Sequence, residues 1–273
     1  MMWIVGSLCA LMVSTAAYRK KSLSLSGATA ATIMGTIYFA AGSLFWFGIL
    51  LAFFVSSSVI SKFRQSVKAE AEKSYAKTGR RDAGQVLANG GLGMLLCVLN
   101  GIWPHPEWSY LFIGIMATVT ADTWATEIGS LSTKPPRSVL NGKVLTVGTS
   151  GGVSLLGSVA AAAGGAMIGG LAWILGSLSG SWEDIQWSAL LIWVLIGLVA
   201  GLVGAFTDSL LGASIQVMYK CPVCGKEVEV VHHCDQPTVQ IRGWLRMNND
   251  AVNMWSSVVG GVVACVIGIY VGL

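Results

Sequence analysis

Charge is what this sequence has least of. Only 11% of its 273 residues are Asp, Glu, Lys or Arg, against about 25% in an ordinary soluble domain. That shortage, with 54% hydrophobic residues, excludes a water-soluble globular enzyme and points to a polytopic membrane protein. No basic residue precedes the first apolar run, whereas Arg19, Lys20 and Lys21 follow it. A cleaved signal peptide carries its positive charge in front, so the run is expected as an uncleaved helix. No GK[ST] follows any glycine-rich turn, which excludes a Walker A loop. The six cysteines lack the pattern of a secreted disulfide framework: Cys9, Cys97 and Cys265 fall in apolar runs and read as small packing residues.

What is present in quantity is glycine, 34 residues, which is more frequent in membrane helices than in soluble ones. A span needs about 20 mainly apolar residues. Eight candidates meet this, roughly 2–18, 23–41, 43–60, 84–103, 108–126, 151–178, 186–207 and 250–272. The second and third are joined by a tight AAGS turn. The expected fold is all-α, a polytopic bundle of about eight transmembrane helices forming one integral membrane domain over residues 1–273. A small zinc-ribbon-like loop, 220–247, is inserted before the last helix. The short apolar stretch 208–219 reads either as a continuation of the seventh span or as a separate interfacial helix.

The 17 basic residues divide cleanly. Three follow span one. Seven (Lys62, Arg64, Lys68, Lys73, Lys77, Arg80 and Arg81) fall between spans three and four. Lys134, Arg137 and Lys143 fall between five and six, and Lys220, Lys226, Arg242 and Arg246 between seven and eight. The alternate connections carry none. Basic loops stay in the cytoplasm, so an integral cell-membrane protein with both termini outside is expected. The basic stretch 61–83 is helix-prone and reads as an amphipathic surface helix on anionic headgroups, with Arg80 and Arg81 near enough to span four to reach a site there.

Against this background the intramembrane polar residues stand out. A carboxylate at the centre of a membrane helix costs roughly 2.5–3.5 kcal/mol on insertion scales. Asp122 and Glu127 end span five, Asp208 ends span seven, and Asn248, Asn249, Asp250 and Asn253 open span eight. Asn89 lies about one turn inside span four. Asp250 alone is explained equally well as a first-turn acid favoured by the helix dipole. Asp122 and Asp208 lie near helix C-termini, where the dipole disfavours them. Three helices bringing acids to one depth suggest a shared cation, and oxygen ligands suit Mg²⁺, commonly held by one or two carboxylates plus substrate phosphates. Asp122, Asp208 and Asp250 are the candidate ligands. Asp122 and Glu127 are about 140° apart on an ideal helix, so one is expected to bind metal while the other orients a basic residue.

Gly148, Thr149, Ser150, Gly151 and Gly152 are expected to open span six and to offer backbone N–H groups to phosphate. Lys143 is a nearby cation, and Asn249 is a further binding candidate. Close helix packing explains Gly151 and Gly152 as well. In CPVCGKEVEVVHHCDQ, Cys221, Cys224, Cys234 and one histidine, taken as His232, make a closed four-ligand set that fits structural zinc. Reduced free thiols are the alternative. The alternating EVEVV reads as a short hairpin strand.

Taken in order, RDAGQVLANGG, ADTWATEIGSLS, GTSGGVS, DSLLGASIQ, CPVCG and NNDAVN resemble the integral-membrane family that contains transmembrane protein 19 and the plant phytyl-phosphate kinase. The resemblance implies phosphotransfer to an isoprenoid lipid phosphate, with a nucleoside triphosphate, CTP or ATP, as donor. It points to Asn89, Asp122, Glu127, Asp208, Asn249, Asp250 and Asn253. A distant likeness to lipid cytidylyltransferases implies nucleotidyl transfer as an alternative, and a carrier of an ion or a phosphorylated lipid is a second. The expected partners are the lipid and the nucleotide, with no nucleic acid; oligomer formation is left open.

Overall fold

A computed structural model describes residues 1–67, 79–180 and 187–272. Eight long helices lie among them, and each falls on one of the eight apolar runs. They are α1 (Met2–Arg19), α2 (Leu25–Ala41), α3 (Leu44–Lys62), α4 (Ala83–Ile102), α5 (Pro106–Gly129), α6 (Leu155–Leu178), α7 (Trp187–Ser214) and α8 (Asn249–Val271). Six of them, all but α2 and α5, are long and apolar enough to cross a membrane. α2 is apolar but has 17 residues. α5 carries Glu107, Asp122 and Glu127, and is shielded by its neighbours: every residue from Phe112 to Ala121 is buried. A helix buried all round is the core of its bundle, and α3, α4, α6, α7 and α8 all pack on α5.

Small residues make this packing close. A Cβ on Gly165 of α6 would stand 2.4 Å from the Gly197 carbonyl oxygen of α7, and one on Gly197 would stand 2.3 Å from that of Gly165. Such contact is open only to residues without side chains, and it replaces the hydrophobic effect as the source of helix association in lipid. An aromatic cluster fills the opposite flank, where Trp46 stacks on Phe112 at 4.4 Å and Phe45 meets the same ring edge-on.

Local chemistry sets the helix ends. Ser43 accepts a hydrogen bond from the Phe45 N–H just after the Gly42 cap, so α2 and α3 form the expected hairpin. Asp82 and Gln85 form a reciprocal capping box at the start of α4. Asn248 caps α8 by accepting from Ala251. α7 continues to Ser214, which resolves 208–214 as the end of the seventh helix. From there the chain enters β3 (Met218–Lys220). Two earlier strands, β1 (Arg137–Ser138) and β2 (Gly152–Val153), pair in the α5–α6 loop. β3 is flanked by β4 (Glu227–Val228) and β7 (Val239–Arg242), and β5 (His232–His233) pairs with β6 (Gln236–Pro237). Glu227 and Val228 thus form the hairpin strand expected of EVEVV. Residues 68–78 of the expected surface helix at 61–83 lie outside the described residues.

Candidate functional site

Arg81 ties the α1–α2 turn to the entry of α4. Its N–H donates to the Ser22 carbonyl and its own carbonyl accepts from the Ser24 N–H, at 3.0 and 2.9 Å. The side chain is 6% exposed. Its Nη1 donates to Ser58 Oγ at 3.0 Å, and its guanidinium carbon lies 5.9 and 5.8 Å from the Phe53 and Phe54 ring centres. Burial pulls its pKa below the usual guanidinium range, and the Glu127 carboxylate acts in the opposite sense. Glu127 also accepts from Ser61 Oγ at 2.5 Å.

Ser61, Arg81 and Glu127 line a cleft of about 250 Å³ at the end of the bundle that carries the basic loops. Asn89, Asp122, Glu127, Asp208, Asn249, Asn253 and the whole of Gly148–Gly152 also line it. The carboxylates divide into two groups. Glu127 faces Arg81, whereas Asp122 and Asp208 lie close enough for their charges to interact. Asp208 accepts from Ser256 Oγ of α8 at 3.0 Å. A fourth carboxylate, Glu229, lines the same cleft and acts on both aspartates. It comes from the insertion between α7 and α8.

Three expectations change. Asp250 is not among the residues lining the cleft, although Asn249 and Asn253 are. These two are one helical turn apart on one face, and Asp250, one residue on from Asn249, is rotated by about 100°. It sits in the first turn of α8, where the dipole favours an acid. Lys143 is exposed and lies outside the lining, on a tight turn around Gly142 at φ 69°; among the described residues Arg81 is the cation in the lining instead. The glycine turn does not open α6, because Ser154 caps that helix by accepting from Gly157 and the helix starts at Leu155.

The turn is held from outside. Gly148 and Gly151 have φ of 93° and 84°. A Cβ on Gly151 would lie 2.4 Å from the Ala213 Cβ. Thr149 and Gly152 donate their N–H groups within the turn, to Thr146 and Thr149. Ser150 Oγ donates to Gln216 Oε1 at 2.8 Å, and Gln216 Nε2 donates to Glu229 Oε1 at 2.8 Å. Arg242 reaches the Gly212 and Ser150 carbonyls. The insertion therefore grips the glycine turn.

At the outer end of that insertion, ligand atoms of Cys221, Cys224, His233 and Cys234 lie within 4.8 Å of one another. His233 Nδ1 is 3.5 Å from Cys224 Sγ and 3.2 Å from Cys234 Sγ. The histidine is His233, not His232: successive residues of a strand point to opposite faces. Cys234 and Asp235, at φ 51° and 57°, then turn the chain so that neighbouring side chains converge. Hydrogen bonds, first from the Cys224 backbone, hold the Cys221 thiol down to about 6. Desolvation and the neighbouring thiols push Cys234 up to about 11. Among the described residues this is the one His, Cys, Asp and Glu group of three or more that closes so tightly; the carboxylates of the cleft are more widely set.

Arg81 is expected from its place beside span four, but its burial has no local signal among the seven cations of its loop. Glu229 is the carboxylate that the sequence did not single out: it lies just past β4, 21 positions beyond Asp208.

A bundle of long apolar helices, with a polar cleft at one end beside a Cys/His insertion, defines a polytopic membrane protein. The chain belongs to the family of integral membrane protein DUF92, whose model matches residues 8–261. It is similar to Protein PGR of Arabidopsis thaliana, 33% identical over 95% of this chain and 94% of that one. It is also similar to an uncharacterized membrane protein of Methanocaldococcus jannaschii, 27% identical over 91% and 87%. A third relative is the chloroplastic Protein VTE6 of Arabidopsis thaliana, 25% identical over 89% of this chain and 64% of that protein. No solved structure matches.

Proposed function

We propose that the chain transfers a phosphoryl group from a nucleoside triphosphate, CTP or ATP, to an isoprenoid lipid phosphate at the cytoplasmic face of the membrane. One observation carries this: a single cleft gathers Asp122, Asp208, three asparagines, a buried arginine and a glycine turn at the basic-loop end of the bundle. The kinase resemblance of the motifs supports the reaction type. The donor set, two carboxylates with Asn249 and Asn253, fits a hard cation that takes oxygen ligands. Mg²⁺ held there would neutralise charge on the phosphates.

The residues of the chain then have separate tasks. The Gly148–Gly152 turn receives the nucleotide phosphates. Arg81, kept charged by Glu127, faces the lipid phosphate. Asn89 orients phosphate oxygens. An oxygen of the lipid phosphate attacks the γ-phosphorus, the bond to the β-phosphate oxygen breaks, and the nucleoside diphosphate leaves. The attacking oxygen is already anionic, so no strong base is required, and catalysis is positioning plus charge stabilisation. Zinc in the Cys221, Cys224, His233 and Cys234 set, which matches a closed tetrahedral sulfur–nitrogen site, would be structural. Carriers place their sites near the midplane, and the cleft is at one end of the helices. The test is reconstitution in nanodiscs with labelled nucleotide, Mg²⁺ and a mixture of polyprenyl phosphates. Label is expected in a lipid diphosphate; label carried as a whole nucleotidyl group, or no transfer at all, would overturn the proposal.

A further inference from the structure

A second cavity, of about 70 Å³, lies among α1, α2, α3 and α4. Its character is opposite to that of the cleft. Val13, Ala31, Met34, Phe47, Leu51 and Phe54 are typical of its wall. Most of these side chains are only half-buried, so the cavity is not sealed from the surface of the bundle that faces lipid. It shares Arg81, Gln85 and Asn89 with the polar cleft. An apolar chamber and a polar chamber thus meet at a wall of three polar side chains, one of them a buried guanidinium.

We propose that the apolar cavity seats the start of a lipid tail whose anionic headgroup lies in the cleft against Arg81. The proposal rests on the phosphotransfer reading for the nature of the headgroup, and on this junction for the path of the chain. Size argues for one chain rather than two. The cavity is roughly half of the ~150 Å³ that accepts a benzene ring in other proteins, so it holds only the first few carbons of one chain and the remaining tail runs out between the helices into lipid. The membrane is as apolar as the cavity, so tail burial adds little affinity. What the cavity supplies is position: it fixes how deep the phosphate sits and which way its oxygen faces. It also discriminates, because a two-chain phospholipid cannot place both chains beside Arg81. Met34, Phe47 and Phe54 therefore select the substrate without touching the reacting phosphate.

The full chain in nanodiscs tests this with a polyprenyl monophosphate carrying a diazirine on its first isoprene unit. After irradiation, adducts mapped by mass spectrometry are expected on α1–α4 near Val13, Leu51 and Phe54. The same probe as the free alcohol should label these residues about ten-fold less. Adducts on α5–α8, adducts spread evenly over the bundle, or equal labelling by the alcohol would overturn the proposal. Labelling does not depend on turnover, so the two readings fail separately: adducts in the cavity without phosphotransfer leave the lipid site standing, and phosphotransfer with adducts elsewhere removes it. As a second measurement, Ala31→Phe, which fills the cavity, is expected to raise the KM for the lipid about ten-fold and leave the nucleotide KM unchanged. An unchanged lipid KM in the folded variant would count against the site. Should that variant fail to fold, labelling of the native chain decides the matter.

Discussion

Asp208 is held by Ser256, and its charge meets that of Asp122, whereas Asp250, in the first turn of α8, lies outside the cleft lining; the three acids are not equivalent. Replacing Asp122 or Asp208 by Asn keeps shape and removes charge. Each change is expected to lower phosphotransfer by about 10²–10³-fold, the range seen when one charge-stabilising group is lost, with membrane insertion and yield unaltered. Asp250→Asn is expected to retain activity within a few-fold and to cost about 0.3–1 kcal/mol, the worth of a first-turn acid. Measuring turnover of the three variants side by side checks the assignment. If Asp250→Asn falls as far as the others, the cleft extends round the first turn of α8. Gly151 belongs to the same scale. At φ 84° an added methyl group costs about 1–2 kcal/mol in backbone strain alone. It would also meet Ala213 of α7 at 2.4 Å. Gly151→Ala is therefore expected to weaken nucleotide binding, read as a raised nucleotide KM, and to lower the unfolding temperature.

Among the elements, the insertion between α7 and α8 bears on the site more than its position in the chain suggests. Its four metal-spaced side chains stand at one end, and Gln216, Glu229 and Arg242 fasten the glycine turn at the other. Metal at the knuckle would order the strands that present these three residues, because small metal sites contribute folding energy directly. Elemental analysis of the purified protein is expected to find about one zinc per chain, lost in Cys224→Ser. Loss of the metal should raise the nucleotide KM more than the lipid KM, since the insertion grips the turn and not the apolar cavity. Acid should have the same effect. Hydrogen bonds lower the Cys221 pKa to about 6, so its thiolate is present above that value and lost as pH falls through it; protons compete with the metal for this ligand, and zinc affinity should be lower at pH 5 than at pH 7. A zinc affinity that does not change between pH 5 and pH 7 would contradict the assignment of Cys221 as a ligand.

Over the whole molecule, helix positions were legible in the sequence because a bilayer demands about 20 apolar residues per span and the turns between them carry their own capping residues. The polar residues Asn89, Asp122, Glu127, Asp208, Asn249 and Asn253 were legible for the complementary reason, that each is costly in an apolar run. Their division was not. Which carboxylate faces Arg81 and which faces Asp208 depends on helix rotation within the bundle, and the reach of Glu229 depends on how the β3–β4 hairpin, with Tyr219 opposite Val228, meets Gln216 and the glycine turn. Sidedness follows from charge instead. The described basic residues all lie at the cleft end of the helices or in its loops, and the proposed orientation keeps such loops on the cytoplasmic side, where nucleoside triphosphates are found. His105→Cys, in the exposed connection before α5 at the opposite end, should therefore react with a membrane-impermeant maleimide in intact cells. Asn141→Cys, in the exposed loop between α5 and α6, should react only after permeabilisation. The reverse pattern would turn the cleft towards a compartment without the phosphoryl donor, and a kinase reading could not survive that orientation whatever the geometry of its carboxylates.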